Sequence, residues 1–291
     1  KDELLEEIPS ILAQLDEPLA DSSIIPQYFI SRFAKQSVKV VLSGDGADEL
    51  FLGYGWYTKH HHLSWRKDFL EKWRNRPFEA HLKQVSHFRT EELHNLEQKR
   101  RYHDETFLDS ESLGEDFSTL SGTEQINRFD LTHYLPGDIL TKVDRASMAH
   151  GFEVRSPFLD QALATFVYNL PLTYKTDGTK TKILLKDLLC DLLPPSFVHR
   201  RKQGFNAPIS AWLRQPQLRT LVTDTLHPQT MLGSILDAAT IKDFLQKFYK
   251  QNDDTFGYRV WILFCLEHWL VSHQNHLRMP TPSLVGQGRN S

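Results

Sequence analysis

The chain has 291 residues, 40% of them hydrophobic, which is enough to bury a sizeable core in one large domain or two small ones. A formal net charge of -3 supplies no molecule-wide basic field, so nucleic acid is not an expected partner. The longest apolar run, Val260 to Leu266, is broken by Glu267 and His268 and falls well short of the ~20 residues needed to span a bilayer, so no membrane is expected either.

In chain order, residues 1–35 read as two helices, Asp2 to Leu15 and Ile24 to Lys35, joined by the turn DEPLADSS. Lys39 to Leu42 (KVVL) is β-branched and too short for a helix, which predicts a buried strand. It is the one strand that stands out, and a lone buried strand leaves its backbone groups without partners inside the chain. Residues 65–131 are charged, aromatic and helical in period, with a polar break at DSESLGEDFSTLSG. Four further helices follow, over 138–150, 157–168, 179–193 and 258–271, with the loop HRRKQGFNAP and a surface-patterned helical stretch, 209–250, between the last two. Cys190 and Cys265 sit in apolar helical patterns and read as buried thiols of a reducing compartment, with the cytoplasm as the expected location.

The segment VVLSGDGADELF places Asp45, Asp48 and Glu49 just beyond the strand. Ligands of open parallel sheets bind there, beyond the carboxyl ends of the strands. Gly44 and Gly46 allow a tight turn and close approach of a ligand, and Asp45 projects between them. Asp48 and Glu49 fall in a first helical turn, where the helix dipole favours negative charge, so capping explains them as well as function does. Clustered hard oxygens suit Mg2+, which takes one or two carboxylates and leaves its other positions to water and phosphate oxygens. Calcium or a sugar hydroxyl fits the same pattern. A pyrophosphate cradle of the S-G-G-x-D-S kind does not, because Asp45 replaces the second glycine and the last serine is missing.

Phosphoryl or nucleotidyl transfer also needs cations. Pro136-Gly137 reads as a turn that opens a helix at Asp138, with Asp138, Lys142 and Arg145 on one stripe; a solvated, salt-bridged face is the plainer explanation of such a stripe. Arg200, Arg201 and Lys202 lead into Gly204 and Phe205, a basic, glycine-hinged loop able to close over an anion or simply to line a surface.

Taken together, DEPLADSS, VVLSGDGADELFLGY, LTKVDRASMAHGFEVRSPFLD, TKTKILLKDLLCDLLP, RRKQGFNAPISAWL and YRVWILFCLEHWL resemble, in this order, the C-terminal synthetase region of the glutamine-dependent asparagine synthetases. The resemblance implies an α/β fold of the adenine nucleotide alpha hydrolase-like kind, of which this chain holds a mainly α-helical part with one or two short strands. Residues 1–278 would form the synthetase part and 279–291 a disordered tail. It further implies an ATP-dependent ligase that makes asparagine from aspartate through β-aspartyl-AMP, with Mg2+ and with ammonia from glutamine released by a glutaminase domain of the same full-length chain. A homodimer is left open. Carried over by position, Asp45, Lys202 and Lys142 are catalytic, Ser43 and Gly44 touch the nucleotide, and Asp48 holds the metal. Glu49, Asp138 and Arg145 are secondary candidates.

Departures from the pattern matter as well. Neither an N-terminal nucleophilic cysteine nor the pyrophosphate loop is present, and Leu52 stands where glycine is usual. The lone strand and the opening Lys1 fit a truncated portion, expected to bind ATP poorly by itself. A related acyl-adenylating amidotransferase, a β-lactam synthetase-like cyclase and a non-catalytic helical scaffold are the competing readings. His60, His61 and His62 point ~100° apart on a helix and cannot converge on one ion, while His273 and His276, Trp261 and Trp269 read as a frayed end and as packing.

Overall fold

Helix α1 (Asp2–Ala13) follows from its apolar spacing: Leu5, Ile8, Ile11 and Leu12 recur three and four residues apart and are all buried. The computed structural model describes residues 2–58, 76–96, 113–200, 204–205 and 207–277, and they fall into two compact units. One joins 1–20 to 209–291, and the other comprises 21–208.

The second unit carries the features of interest. Helix α2 (Ile24–Ala34) leads to strand β1 (Val40–Leu42), the short helix α3 (Ala47–Leu50), then α4 (Arg76–Val85), α5 (Thr90–Leu96) and α6 (Gly122–Phe129). A π-helix, Asp130–Leu140, runs directly into α7 (Thr141–Met148), followed by β2 (Glu153–Arg155), α8 (Gln161–Tyr168), α9 (Ile183–Cys190) and α10 (Pro195–Val198). The strand of KVVL therefore has a partner after all. β1 and β2 pair in parallel, Val40 with Glu153, Val41 with Val154 and Leu42 with Arg155, and Ser43 N–H extends the ladder to Arg155 O at 2.8 Å. Nor is β1 buried: Leu42 is 68% exposed, because among the described residues only β2 lies beside it.

Two more expectations change. Pro136 and Gly137 make no turn, and no helix begins at Asp138; both lie within the π-helix, whose wide register carries the chain past a proline that has no N–H to give. The helix expected over 179–193 is the shorter α9, and Cys190 ends it half-exposed, its Sγ 3.7 Å from His199 Nε2. Cys265 is buried as expected.

Behind the acid loop lie two apolar clusters. Leu50, Phe51 and Val167 pack with Phe158, Leu159 and Leu185, while Leu52, Tyr57, Phe78, Leu113 and Ile126 form the other. Leu52 adopts a left-handed backbone, φ 55, and Gly53 N–H reaches back to Asp48 O at 2.7 Å, a Schellman-type ending with leucine in the place glycine usually takes. That conformation costs about 1–2 kcal/mol, whereas removing a buried leucine side chain costs about 2–5 kcal/mol. Burial wins. Leu52→Gly is therefore expected to lower stability by roughly 1–3 kcal/mol despite relieving the backbone, read as a lower urea midpoint with unchanged m.

The first unit is organised on α15 (Gly257–Leu277), against which α1, α11 (Ile209–Leu213), α12 (Pro216–Thr225), α13 (Met231–Ile235) and α14 (Ala238–Tyr249) pack. Val260, Trp261 and Phe264 are fully buried in it, and Trp261 Nε1–H donates to Ala20 O at 2.8 Å, so Trp261 is a core residue. Glu267, also buried, accepts from Met231 N–H and Leu232 N–H and so caps the start of α13. His273 stacks on Trp269 at 4.8 Å. Among the described residues no helix is long and apolar enough to cross a membrane.

Candidate active site

The carboxyl end of β1 delivers the chain into Ser43, Gly44, Asp45 and Gly46 before α3 begins. Ser43 Oγ lies 3.1 Å from Ser156 Oγ beyond β2, so the two parallel strands are tied where they end. At Gly44 no described atom lies within 4 Å of where a Cβ would stand, leaving its backbone open to an approaching group. Gly46 takes φ 87, and a Cβ there would sit 2.3 Å from Leu159 Cδ2. Only glycine satisfies both conditions. Asp45 lies half-buried between them, its N–H 3.5 Å from Ser43 Oγ.

Asp48 and Glu49 occupy the first turn of α3 but diverge in their surroundings. Asp48 is partly exposed, and its Oδ1 lies 3.0 Å from Lys182 Nζ. Lys182 stands just before α9 in a left-handed conformation, φ 55, its N–H donating to Phe51 O at 3.1 Å. The neighbouring Lys186 has its ammonium pushed down by burial and by Lys182, against the pull of Asp48. Lys186 also lines a cleft of about 210 Å³ with Lys180, His199 and Asp187. The Asp48–Lys182 contact depends on Gly53, since a Cβ there would come within 1.9 Å of Asp48 Oδ1 and 2.1 Å of Lys182 Cε. Gly53→Ala should thus displace both charges and break the Asp48–Lys182 contact, with little change in the far-UV circular dichroism of the intact protein.

Glu49 is turned inward and buried. Tyr54 OH donates to its Oε1 at 2.6 Å, and Asn127 Nδ2–H donates to its backbone oxygen at 2.7 Å. Burial pushes the Glu49 carboxyl up, the Tyr54 bond opposing it. Tyr54 in turn lies edge-on to Tyr134, ring centroids 6.0 Å apart. The Tyr134 phenol is held neutral by burial first and then by the carboxyls of Asp138, Asp21 and Glu49. A continuous polar wall therefore runs from the acid loop to a second charged group.

That second group is Asp21, Asp138 and Lys142. Lys142, from α7, is 7% exposed, and its Nζ donates to Asp21 Oδ2 at 2.5 Å. Asp21 sits in the turn before α2, where Ser23 N–H and Ser23 Oγ–H also donate to it, at 2.8 and 2.9 Å. Burial works to raise the Asp21 carboxyl, but the Lys142 ammonium and the Ser23 bonds outweigh it and hold it low. Asp138 is pushed up to about 7, by burial first and by the Asp21 carboxyl next, with Lys142 opposing. The unfolded chain gives up that proton near the ordinary value of 3.8, so Asp138 costs the fold stability progressively between about pH 4 and about pH 7. Asp138→Asn is expected to gain Tm over the wild type as the pH rises from about 4 to about 8, a trend that thermal scans in a series of buffers would show.

The structure thus gathers Ser43, Gly44, Asp45, Asp48 and Glu49 in one loop and turn, and Asp138 with Lys142 at the end of the tyrosine wall. Arg145 pairs with its neighbour Asp144, NH1 to Oδ2 2.5 Å. Lys202 lies outside the described residues, as do His60, His61 and His62 and the tail 279–291. Sequence reasoning passed over Asp21, Tyr54, Tyr134 and Lys182. Only Asp21 carried a local signal, an acid followed by two serines at a helix start.

A parallel strand pair ending in a glycine-bracketed acid loop, with lysines and carboxyls around it, defines a helix-rich α/β domain with an open polar loop at its strand ends. The chain belongs to the asparagine synthase family, whose profile matches residues 1–271. It is 31% identical to a Mycobacterium tuberculosis protein provisionally named an asparagine synthetase (glutamine-hydrolyzing), over 96% of this chain and 46% of the relative. With asparagine synthetase (glutamine-hydrolyzing) 1 of Bacillus subtilis it shares 30% identity, over 73% of this chain and 38% of that protein. The chain therefore spans less than half the length of these relatives.

Proposed function

We propose that this chain supplies the acid loop and cationic wall of a ligase that converts aspartate to asparagine at the expense of ATP, with ammonia drawn from glutamine by another part of the full-length protein. The reading rests on one observation above all: the family's acid loop emerges at the carboxyl ends of paired parallel strands, open at Gly44.

In this reading the aspartate β-carboxylate oxygen attacks the α-phosphorus of ATP, and the bond to the β-phosphate bridging oxygen breaks to release pyrophosphate. Ammonia then adds to the acyl carbon of β-aspartyl-AMP; AMP departs with one former carboxylate oxygen, and the nitrogen loses a proton. Ser43 and Gly44 meet the nucleotide through the loop backbone. Asp45, projecting from that loop, handles charge and protons at the acyl-adenylate. Lys142 and Lys202 offset the negative charge that builds on the phosphoryl group.

Among the described residues no cluster of three metal-ligating side chains occurs, so an all-protein metal cage does not fit. A single partly exposed carboxylate does suit Mg2+, which shares its coordination with phosphate oxygens and water. Asp48 would hold it, and bound there it would neutralise pyrophosphate as that group leaves. Lys182 Nζ, 3.0 Å from Asp48 Oδ1, holds that carboxylate in place meanwhile. The test is product analysis with the intact protein: ATP, aspartate and an ammonia source should give pyrophosphate, AMP and asparagine. Release of ADP and phosphate, or ATP turnover indifferent to aspartate, would remove the proposal.

A further inference from the structure

We infer that Asp21 is the positioning residue of Lys142, and that Asp138 shares one proton with Asp21, so that the two carboxyls together set how much of the lysine's charge reaches an anionic ligand. This rests on reading Lys142 as a cation of the synthetase site.

A buried lysine needs a partner, because an ammonium taken out of water without one is costly. Lys142 has it in Asp21, at 2.5 Å. Asp21 is itself immobilised, with both carboxylate oxygens taking bonds from Ser23 at the entrance of α2. The lysine, borne on α7, is thereby fixed at its ammonium by a carboxylate from the turn before α2. Asp138 adds the variable part. It comes from the π-helix immediately before α7, its Oδ1 is buried without a hydrogen-bond partner, and the charges of Asp21 and Lys142 act on it, while Asp138, Asp21, Glu49 and Asp130 all act on Tyr134.

When Asp138 carries its proton, Asp21 and Lys142 form a neutral pair. When it does not, two carboxylates share one ammonium and the group is net negative in a low-dielectric wall, where charge acts more strongly than in water. An anion arriving beside Lys142 is then opposed. Its binding should take up a proton, and its affinity should fall as Asp138 ionises. The upward displacement of Asp138 puts that change near neutral pH.

Three variants of the intact protein test this. In the wild type the KM for ATP, whose phosphoryl charge Lys142 would meet, should rise with pH above about 7, approaching tenfold per unit as one proton is lost. Asp138→Asn should flatten that profile. Asp21→Asn should lower kcat/KM at least tenfold, and Asp21→Glu should recover part of it. A second measurement needs no turnover: competitive acylation read by mass spectrometry, with exposed Lys39 as internal reference, should show Lys142 several-fold more reactive in Asp21→Asn than in the wild type. An unchanged pH profile in Asp138→Asn, or equal Lys142 labelling with and without Asp21, would overturn the inference. Absence of aspartate-dependent pyrophosphate in the wild type would instead remove the functional reading, and the labelling ratio alone would decide whether Asp21 holds Lys142.

Discussion

Asp130→Ala is expected to lower stability by on the order of 4 kcal/mol, the largest effect of any single substitution near the site. Asp130 is buried at the start of the π-helix, and its Oδ2 accepts from Tyr57 OH at 2.5 Å and Trp56 Nε1–H at 3.0 Å, with His81 Nε2 3.7 Å from Oδ1. Tyr57 is fully buried, its phenol held neutral by burial and by that carboxylate. Truncation strands the buried Tyr57 hydroxyl and the partly buried Trp56 N–H, each costing about 1–3 kcal/mol once its acceptor is gone. For a domain of this size the loss corresponds to a Tm lower by roughly 10 °C. Asp130→Asn keeps an acceptor and should lose about half as much. Calorimetry showing a change below about 2 °C for the alanine variant would mean that the wall beneath Glu49 is held by packing alone.

The second large effect is on turnover. Asp48→Ala is expected to reduce aspartate-dependent pyrophosphate release about 100- to 1000-fold, the scale seen when one preorganised electrostatic group is removed from a site. Its stability should barely move. The Asp48–Lys182 contact is partly exposed on both sides, and such pairs are worth about 0–1 kcal/mol. That split separates a functional carboxylate from a structural one, because Asp130→Ala should do the reverse. Equal losses of Tm and activity in Asp48→Ala would argue that the residue serves the fold.

Much of the acid loop was legible in the sequence because its cause is local: glycine on either side of Asp45 and a β-branched run before it dictate a turn at a strand end. Pairing was not. β2 is three residues, Glu153 to Arg155, with no strand signature of its own, and it is recruited by β1 across the intervening helices. The exposure of Leu42 was hidden for the same reason, since burial belongs to neighbours that periodicity does not name. Pro136-Gly137 misled in the opposite direction. The dipeptide is a strong turn signal, but tertiary packing of Asp130 and Leu135 holds the segment in a π-helix through it. The Asp138–Lys142 stripe looked like a solvated surface by spacing, and its burial came from Asp21, a partner that sequence distance concealed. Leu52 looked like a misfit in a glycine position and proved to be a core residue that accepts the strain.

The measurement that bears most directly on the proposed adenylation follows one oxygen atom. Aspartate labelled with 18O in its side-chain carboxylate, turned over by the intact protein with ATP and an ammonia source, should deliver one label per turnover into the phosphate of AMP and retain the other in the asparagine amide carbonyl. Label in inorganic phosphate, or AMP free of it, would show that the side-chain carboxylate never bonded to the α-phosphorus and would contradict the account.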